Sequence, residues 1–320
     1  MNPLEFVDDL YEEFAVGLGG DLAAHARDLP RALRLAPARD VRWSAVFMHE
    51  ITLAAPALFV DALPDAPILA VREAVRAHMF SVLDAFGTDR IEDGQVQLTA
   101  DALQVLETIH RERDASLARL ASRVLDGAPP DPTAVDRATA RALHREREIL
   151  RLGAEVDFAT YERVSLAKQS AGVIATCVLA RTTGCSPARV RAIQRTLEAV
   201  AMALQIHDDV VDWEDDQARG GSWVVALMRG LVPVSLEDTQ GKPLRAEVLR
   251  SDVLLRMLRR SRWYMRAAGA RARVLGALRV AAWAEARAQS LSALVSAESR
   301  SAGYSMRSHA LSSWATEVLA

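Results

Sequence analysis

The stretch Ala203-Leu-Gln-Ile-His-Asp-Asp-Val-Val-Asp-Trp-Glu-Asp-Asp216 decides how this 320-residue chain is read. It closes an apolar helical run with Asp208, Asp209, Asp212, Glu214, Asp215 and Asp216. On a helix of about 3.6 residues per turn, positions four, seven and eight beyond a starting residue share its face. Asp208, Asp212, Asp215 and Asp216 have that spacing, and Gln205 lies a turn earlier on roughly the same side. Val210 and Val211 fall elsewhere on the wheel and can pack. Stacked like charges are costly unless something neutralises them. Hard divalent cations do so, and Mg²⁺ takes one or two carboxylates together with waters and phosphate oxygens. A solvated face at the end of a surface helix could carry the same acids. The residues that precede them, Leu197, Val200, Ala201, Met202, Leu204 and Ile206, are too apolar for a surface helix, with Glu198 the only charge among them. An acidic stripe growing out of a buried helix points to a metal-binding cleft.

Composition narrows the class. Half the residues are hydrophobic, aromatics are 5%, and β-branched alternation is hardly visible, which is an all-α composition. The length suits one large domain or two small ones. A net charge of −3 with 25% charged residues excludes the basic excess of a nucleic-acid binder. Cys177 and Cys185 form neither a disulfide framework nor a metal knuckle. The first residues have no basic and apolar leader pattern. The longest apolar run, 171 to 180, is far short of the ~20 residues of a membrane span. A cytoplasmic protein is expected, with no membrane span and no nucleic-acid partner. Lysines are limited to Lys168 and Lys242, so an interior lysine stands out.

Along the chain, residues 3 to 16 form an amphipathic helix ended by Gly17-Leu-Gly-Gly20. An apolar helix follows from about 40 to 63, kinked at Pro56. Its Trp43, Phe47 and Phe59 are expected in the core. Residues 65 to 93 read as one long helix with Pro67 near its first turn and Gly94 as terminator. At its exit Asp89, Glu92 and Asp93 stand three and four residues apart on one face, opposing the macrodipole at small cost. The helix from 99 to 125 carries the charged run Ile109-His-Arg-Glu-Arg-Asp114, where either Arg111 or Arg113 could meet an anion. After the turn-rich connector 126 to 133 come a charged helix, 134 to 152, and a helix from about 155 that runs through Tyr161 to Cys177. In it Lys168 and Gln169 precede a long apolar segment, where a lysine can snorkel to a cleft rim and offer a compact charge to phosphate. Ser186 and Pro187 open the helix that leads to the acidic stretch, and Gly220-Gly-Ser-Trp223 ends or bends it. One or two helices fill 244 to 296; Tyr304 to Arg307 could cap a closed site.

Gln205-Ile-His-Asp-Asp-Val-Val-Asp212 resembles the second aspartate-rich motif of trans-isoprenyl diphosphate synthases. The spacing of Asp208, Asp212 and Asp216 resembles the metal triad of class I terpene cyclases, and 212 to 223 resembles the squalene and phytoene synthase branch. Asp89-Arg-Ile-Glu-Asp93 stands where the superfamily carries its first motif, with the second carboxylate displaced. Lys168-Gln169 is similar to the Lys-Thr of prenyl synthases. Gly-Gly-Ser-Trp223 lacks the lysine of their Gly-Lys-Ser segment.

The class I isoprenoid synthase resemblance implies one all-α antiparallel bundle over 1–320 with a central cavity, and a homodimer. It implies Mg²⁺, three ions in all, held by Asp89, Glu92, Asp93, Asp208, Asp209, Asp212 and Asp216. Asp89, Asp93, Asp208 and Asp212 would be catalytic, and Lys168, Gln169 and Gln205 would bind the diphosphate of a prenyl diphosphate substrate. The two acidic clusters, about 115 residues apart, would face each other across the cavity mouth. The basic Gly-Gly-Lys-x-x-Arg-Pro and Arg-Arg-Gly segments of chain-elongating enzymes are absent. The expectation is therefore a terpene-synthase-like enzyme that ionises one prenyl diphosphate and cyclises it. A prenyltransferase, elongating or coupling, is the alternative, and a non-catalytic partner of a prenyl synthase the second.

Overall fold

The computed structural model describes residues 3–47, 49–124, 131–231 and 244–301, the last few without their side chains. All regular structure among the described residues is helical: sixteen α-helices, one 3₁₀ turn and no strand. The helices are α1 (Pro3–Leu18), α2 (Gly20–Arg27), α3 (Leu29–Ala32), α4 (Trp43–Val46), α5 (Glu50–Leu58), α6 (Ile68–Glu92), α7 (Ala100–Ala121) and α8 (Pro132–Leu152). They continue with α9 (Phe158–Lys168), α10 (Ala171–Thr182), α11 (Pro187–Val211), α12 (Trp213–Arg219), α13 (Trp223–Leu231), α14 (Leu244–Arg250), α15 (Val253–Leu275) and α16 (Leu278–Ser301). The parts of 125–130, 232–243 and 302–320 read above, Tyr304 and Arg307 included, lie outside the described residues.

The chain divides into two compact units. The first comprises Met1–Thr133, Ala171–Gln194 and Leu275–Val280; the second comprises Ala134–Ser170, Arg195–Val274 and Ala281–Ala320. In the first unit the core is built on α6, whose Met79, Phe80 and Leu83 are fully buried. Phe14 of α1 meets the Phe80 ring edge-on at 4.9 Å. Gly87 lets α7 come close: a Cβ there would lie 2.7 Å from Leu106 Cδ1. His78, 3% exposed, bonds through Nε2 to the carbonyl of Thr52 on α5 at 3.0 Å. In the second unit Ser261 of α15 donates to the Ala203 carbonyl of α11 at 2.8 Å, and a Cβ on Gly269 of α15 would meet Ala284 of α16 at 3.6 Å.

Several boundaries differ from the sequence reading. The expected helix from 40 to 63 is broken into α4, α5 and a 3₁₀ turn, Val60–Ala62. Pro56 lies inside α5 and disfavours a straight helix through the residues before it, and two residues upstream Ala54 is non-helical (φ −124°). Trp43 and Phe59 are buried and Phe47 is half-buried. The expected helix through Tyr161 and Cys177 is interrupted at Gln169 and Ser170, which places Lys168 in the last turn of α9. Residues 244 to 301 form three helices, not one or two. The long helix ends as read. Gly94 has φ +68°, its N–H reaches the Ile91 carbonyl at 3.0 Å, and that of Gln95 reaches Arg90 at 2.9 Å.

Candidate active site

The acidic stretch is not one helix. It breaks at Asp212, which lies between α11 and α12 with φ −99° and ψ 8°. Helical hydrogen bonding nevertheless passes through the break: Asp212 N–H to the Asp208 carbonyl and Asp216 N–H to the Asp212 carbonyl are both 2.9 Å. The four-residue spacing of Asp208, Asp212 and Asp216 therefore persists. Asp208 and Asp212 are exposed and Asp216 is half-buried. The Asp216 carboxyl is pushed up to about 7, first by desolvation, with Arg219 opposing and the charges of Asp208 and Asp212 adding to the rise. Arg219 pairs with Asp216 at 2.9 Å, and Glu214 pairs with Arg245 at 3.1 Å. Asp215 is exposed.

Asp209 stands apart from this stripe. It is buried, accepts from the Tyr161 hydroxyl at Oδ2, and accepts from Gln205 Nε2 at Oδ1 at 2.9 Å. Gln205 Oε1 in turn accepts from Gln169 Nε2 at 2.9 Å. Gln169, Gln205, Asp209 and Tyr161 thus form one chain of side-chain hydrogen bonds that ties α9 to α11. Burial pushes the Asp209 carboxyl up to about 7 against the nearby charge of Lys168 and the Tyr161 bond.

Lys168 Nζ lies 2.9 and 3.0 Å from the two oxygens of Glu146 on α8. Its charge also acts on Asp209 and Asp216, opposing the rise that burial imposes on both carboxyls. The Glu146 carboxylate takes a third bond, at Oε1, from Trp223 Nε1 at 2.6 Å. Trp223 opens α13 two residues after Gly221, and Gly220 and Gly221 have φ +140° and +139°. A Cβ on Gly221 would lie 2.7 Å from the Leu150 carbonyl oxygen of α8, so only glycine lets this segment approach. Sequence reasoning missed Glu146, Tyr161 and Trp223. The signal for Glu146 was available: it falls at helical spacing with Ala142, Leu143 and Ile149, the buried face of α8.

In the first unit Asp89 is half-buried, while Glu92 and Asp93 are exposed at the end of α6. Five residues before Asp89, Asp84 Oδ2 is 2.9 Å from both His110 Nδ1 and Arg113 Nη1. Arg113, buried, also bonds Asp114 at 2.8 Å, so its charge answers carboxylates of its own unit. Arg111 is exposed and bonds Thr108 Oγ1 at 2.8 Å.

Among the described residues no three His, Cys, Asp or Glu side chains converge as a ready metal-ligand set. Mg²⁺ does not need three, because water and phosphate oxygens complete its shell around one or two carboxylates. The mutual repulsion at Asp208, Asp212 and Asp216 is what a divalent cation would relieve, and the all-oxygen donor set suits a hard ion.

No protein-family model and no curated protein matches the sequence. Solved structures do match in shape. Heptaprenyl diphosphate synthase from Staphylococcus aureus superposes with a TM-score of 0.65 at 12% identity, covering 90% of this chain and 98% of its own. Polyprenyl synthetase from Streptomyces coelicolor A3(2) gives 0.63 at 12% identity, covering 88% and 98%. Polyprenyl synthase from Caulobacter crescentus CB15, complexed with calcium and isoprenyl diphosphate, gives 0.57 at 16% identity, covering 88% and 94%. These neighbours correct the expectation of a cyclising terpene synthase: they are synthases of prenyl chains and favour the prenyltransferase alternative. Among the described residues no helix is long and apolar enough to cross a membrane. The chain has the all-α class I isoprenoid synthase fold, in the form shared by the isoprenyl diphosphate synthases.

Proposed function

We propose that the protein is a Mg²⁺-dependent prenyltransferase. The carbon–oxygen bond of an allylic prenyl diphosphate breaks, a bond to an acceptor forms, the acceptor gives up a proton, and diphosphate leaves. The observation that carries this reading is the stripe Asp208, Asp212 and Asp216, in which the charges of Asp208 and Asp212 and the opposing charge of Lys168 all act on Asp216, on a prenyl synthase fold. Asp208, Asp212 and Asp216 would hold Mg²⁺ in the second unit. Asp89, Glu92 and Asp93 form the carboxylate set of the first. Bound there, Mg²⁺ would stabilise the charge that develops on the leaving diphosphate. Lys168 adds a fixed positive charge to the same end. Asp209, Gln205 and Gln169 hold α9 against α11 and so keep Lys168 in register with the stripe.

The test is product analysis by mass spectrometry. Geranyl, farnesyl and geranylgeranyl diphosphate are each supplied with Mg²⁺, alone and with isopentenyl diphosphate. The reading predicts products only in the presence of an acceptor: one or more isoprene units longer with isopentenyl diphosphate, or a coupled product from two prenyl diphosphates. Hydrocarbon products from one substrate molecule with no acceptor would overturn it.

A further inference from the structure

Glu146 is one of the few buried charged side chains of the second unit, and no aspartate-rich motif includes it. All the partners that fix it are in that unit. Its two oxygens lie 2.9 and 3.0 Å from Lys168 Nζ, and one of them also receives the Trp223 indole N–H at 2.6 Å. The side chains of Lys168 and Glu146 are 17% and 12% exposed, so water screens this pair weakly. Gly221 sets Trp223 in place, because its lack of a Cβ allows the segment before α13 to lie on the Leu150 carbonyl of α8. The Tyr161 ring packs edge-on against the Trp223 ring at 5.1 Å and closes the other side. A carboxylate held from one side by an indole on a rigid turn cannot follow a lysine that moves.

We propose that Glu146 is a positioning residue for Lys168. It fixes where the ammonium sits at the edge of the acidic stripe and competes with an incoming diphosphate for its charge. The proposal rests on the prenyltransferase reading in that Lys168 meets the diphosphate. Trp223 makes the competition reversible. When phosphate oxygens draw the ammonium away, the indole N–H still donates to the carboxylate, so the buried charge keeps one hydrogen bond. The segment Gly220 to Trp223 thus has a role other than supplying a lysine: it supplies the donor that anchors the counter-charge of Lys168.

Neutralising Glu146 should leave the ground-state attraction for diphosphate intact or stronger, since a competing negative charge is gone, while the loosened ammonium serves the transition state less well. The expected result for Glu146→Gln is a kcat lower by about 10- to 100-fold, the usual effect of removing an orienting partner, with KM for the prenyl diphosphate unchanged or lower. Glu146→Asp should recover part of kcat, and Lys168→Ala should raise KM. An independent readout needs no turnover. In ¹⁵N–¹H spectra of the wild-type protein the Trp223 indole resonance should move when inorganic pyrophosphate and Mg²⁺ are added, and should stay in place in Lys168→Ala. The proposal is overturned if Glu146→Gln keeps the wild-type kcat and loses only thermal stability, or if the indole resonance is unmoved while calorimetry records pyrophosphate binding. Failure of wild-type protein to bind pyrophosphate with Mg²⁺ would instead sink the prenyltransferase reading itself.

Discussion

At the scale of single residues, the acidic stretch separates into two kinds of aspartate that the sequence presents as equals. Asp208, Asp212 and Asp216 are linked carbonyl to amide at four-residue spacing and repel one another. Asp209 faces inward onto Tyr161 and Gln205. Adjacent helical positions point about 100° apart, so Asp208 and Asp209 were bound to diverge, but which of them met the core depended on partners from α9 that the local sequence does not name. Asp216→Asn removes a charge that its surroundings disfavour. In metal-free protein at pH 8 it should raise the unfolding midpoint while Mg²⁺-dependent turnover falls by about 100-fold or more. Calorimetric melting and a diphosphate-release assay on the same sample check both signs. His78 gives a second test, away from the site. Burial lowers its imidazole to about 4 from its usual 6.5, so the folded state binds fewer protons than the unfolded chain between those values. Stability attributable to His78 is therefore complete above pH 6.5 and is lost as pH falls toward 4. The loss is about 3 kcal/mol. Chemical denaturation of His78→Gln from pH 7 to 4 should show a flatter acid limb than wild type; parallel curves would contradict the assignment.

At the scale of elements, what the sequence conveyed best was periodicity and punctuation. The long helix α6 and its glycine stop and the Ser186–Pro187 start of α11 follow from local chemistry that a single stretch contains. What it conveyed poorly was interruption. The break between α9 and α10 at Gln169 and Ser170 and the break at Asp212 have no proline or glycine at the broken positions to announce them. The glycines that matter for packing were equally silent. Gly221 reads as a helix terminator, yet its second role, contact with the Leu150 carbonyl at 2.7 Å from a would-be Cβ, depends on α8. Gly221→Ala meets both a positive φ and a backbone oxygen that cannot swing aside. It should lower the thermal midpoint by several degrees and move the Trp223 indole resonance, read by differential scanning calorimetry and ¹⁵N–¹H spectra. A variant that melts like wild type would show that the approach of α13 to α8 is looser than described.

At the scale of the whole molecule, the all-α class was legible from composition and the fold from three short motifs, and superposition on prenyl synthases over 88–90% of the chain agrees with both. The reaction type was not. The sequence lacks two basic segments of elongating enzymes, and that lack pointed toward a cyclase. The neighbouring structures are prenyl synthases and favour the prenyltransferase alternative, while the fold they share with this chain records the arrangement of helices and not the presence of a basic segment. The central claim is that Asp208, Asp212 and Asp216 form a cation site for the diphosphate of a prenyl substrate. The measurement that tests it most directly is diphosphate release from farnesyl diphosphate and isopentenyl diphosphate by wild-type protein and by Asp208→Ala, with Mg²⁺ and with the metal chelated. The account predicts release by the wild type with Mg²⁺ alone, falling to background on chelation and in Asp208→Ala. Equal release by the two proteins, or release that survives removal of the metal, would contradict it.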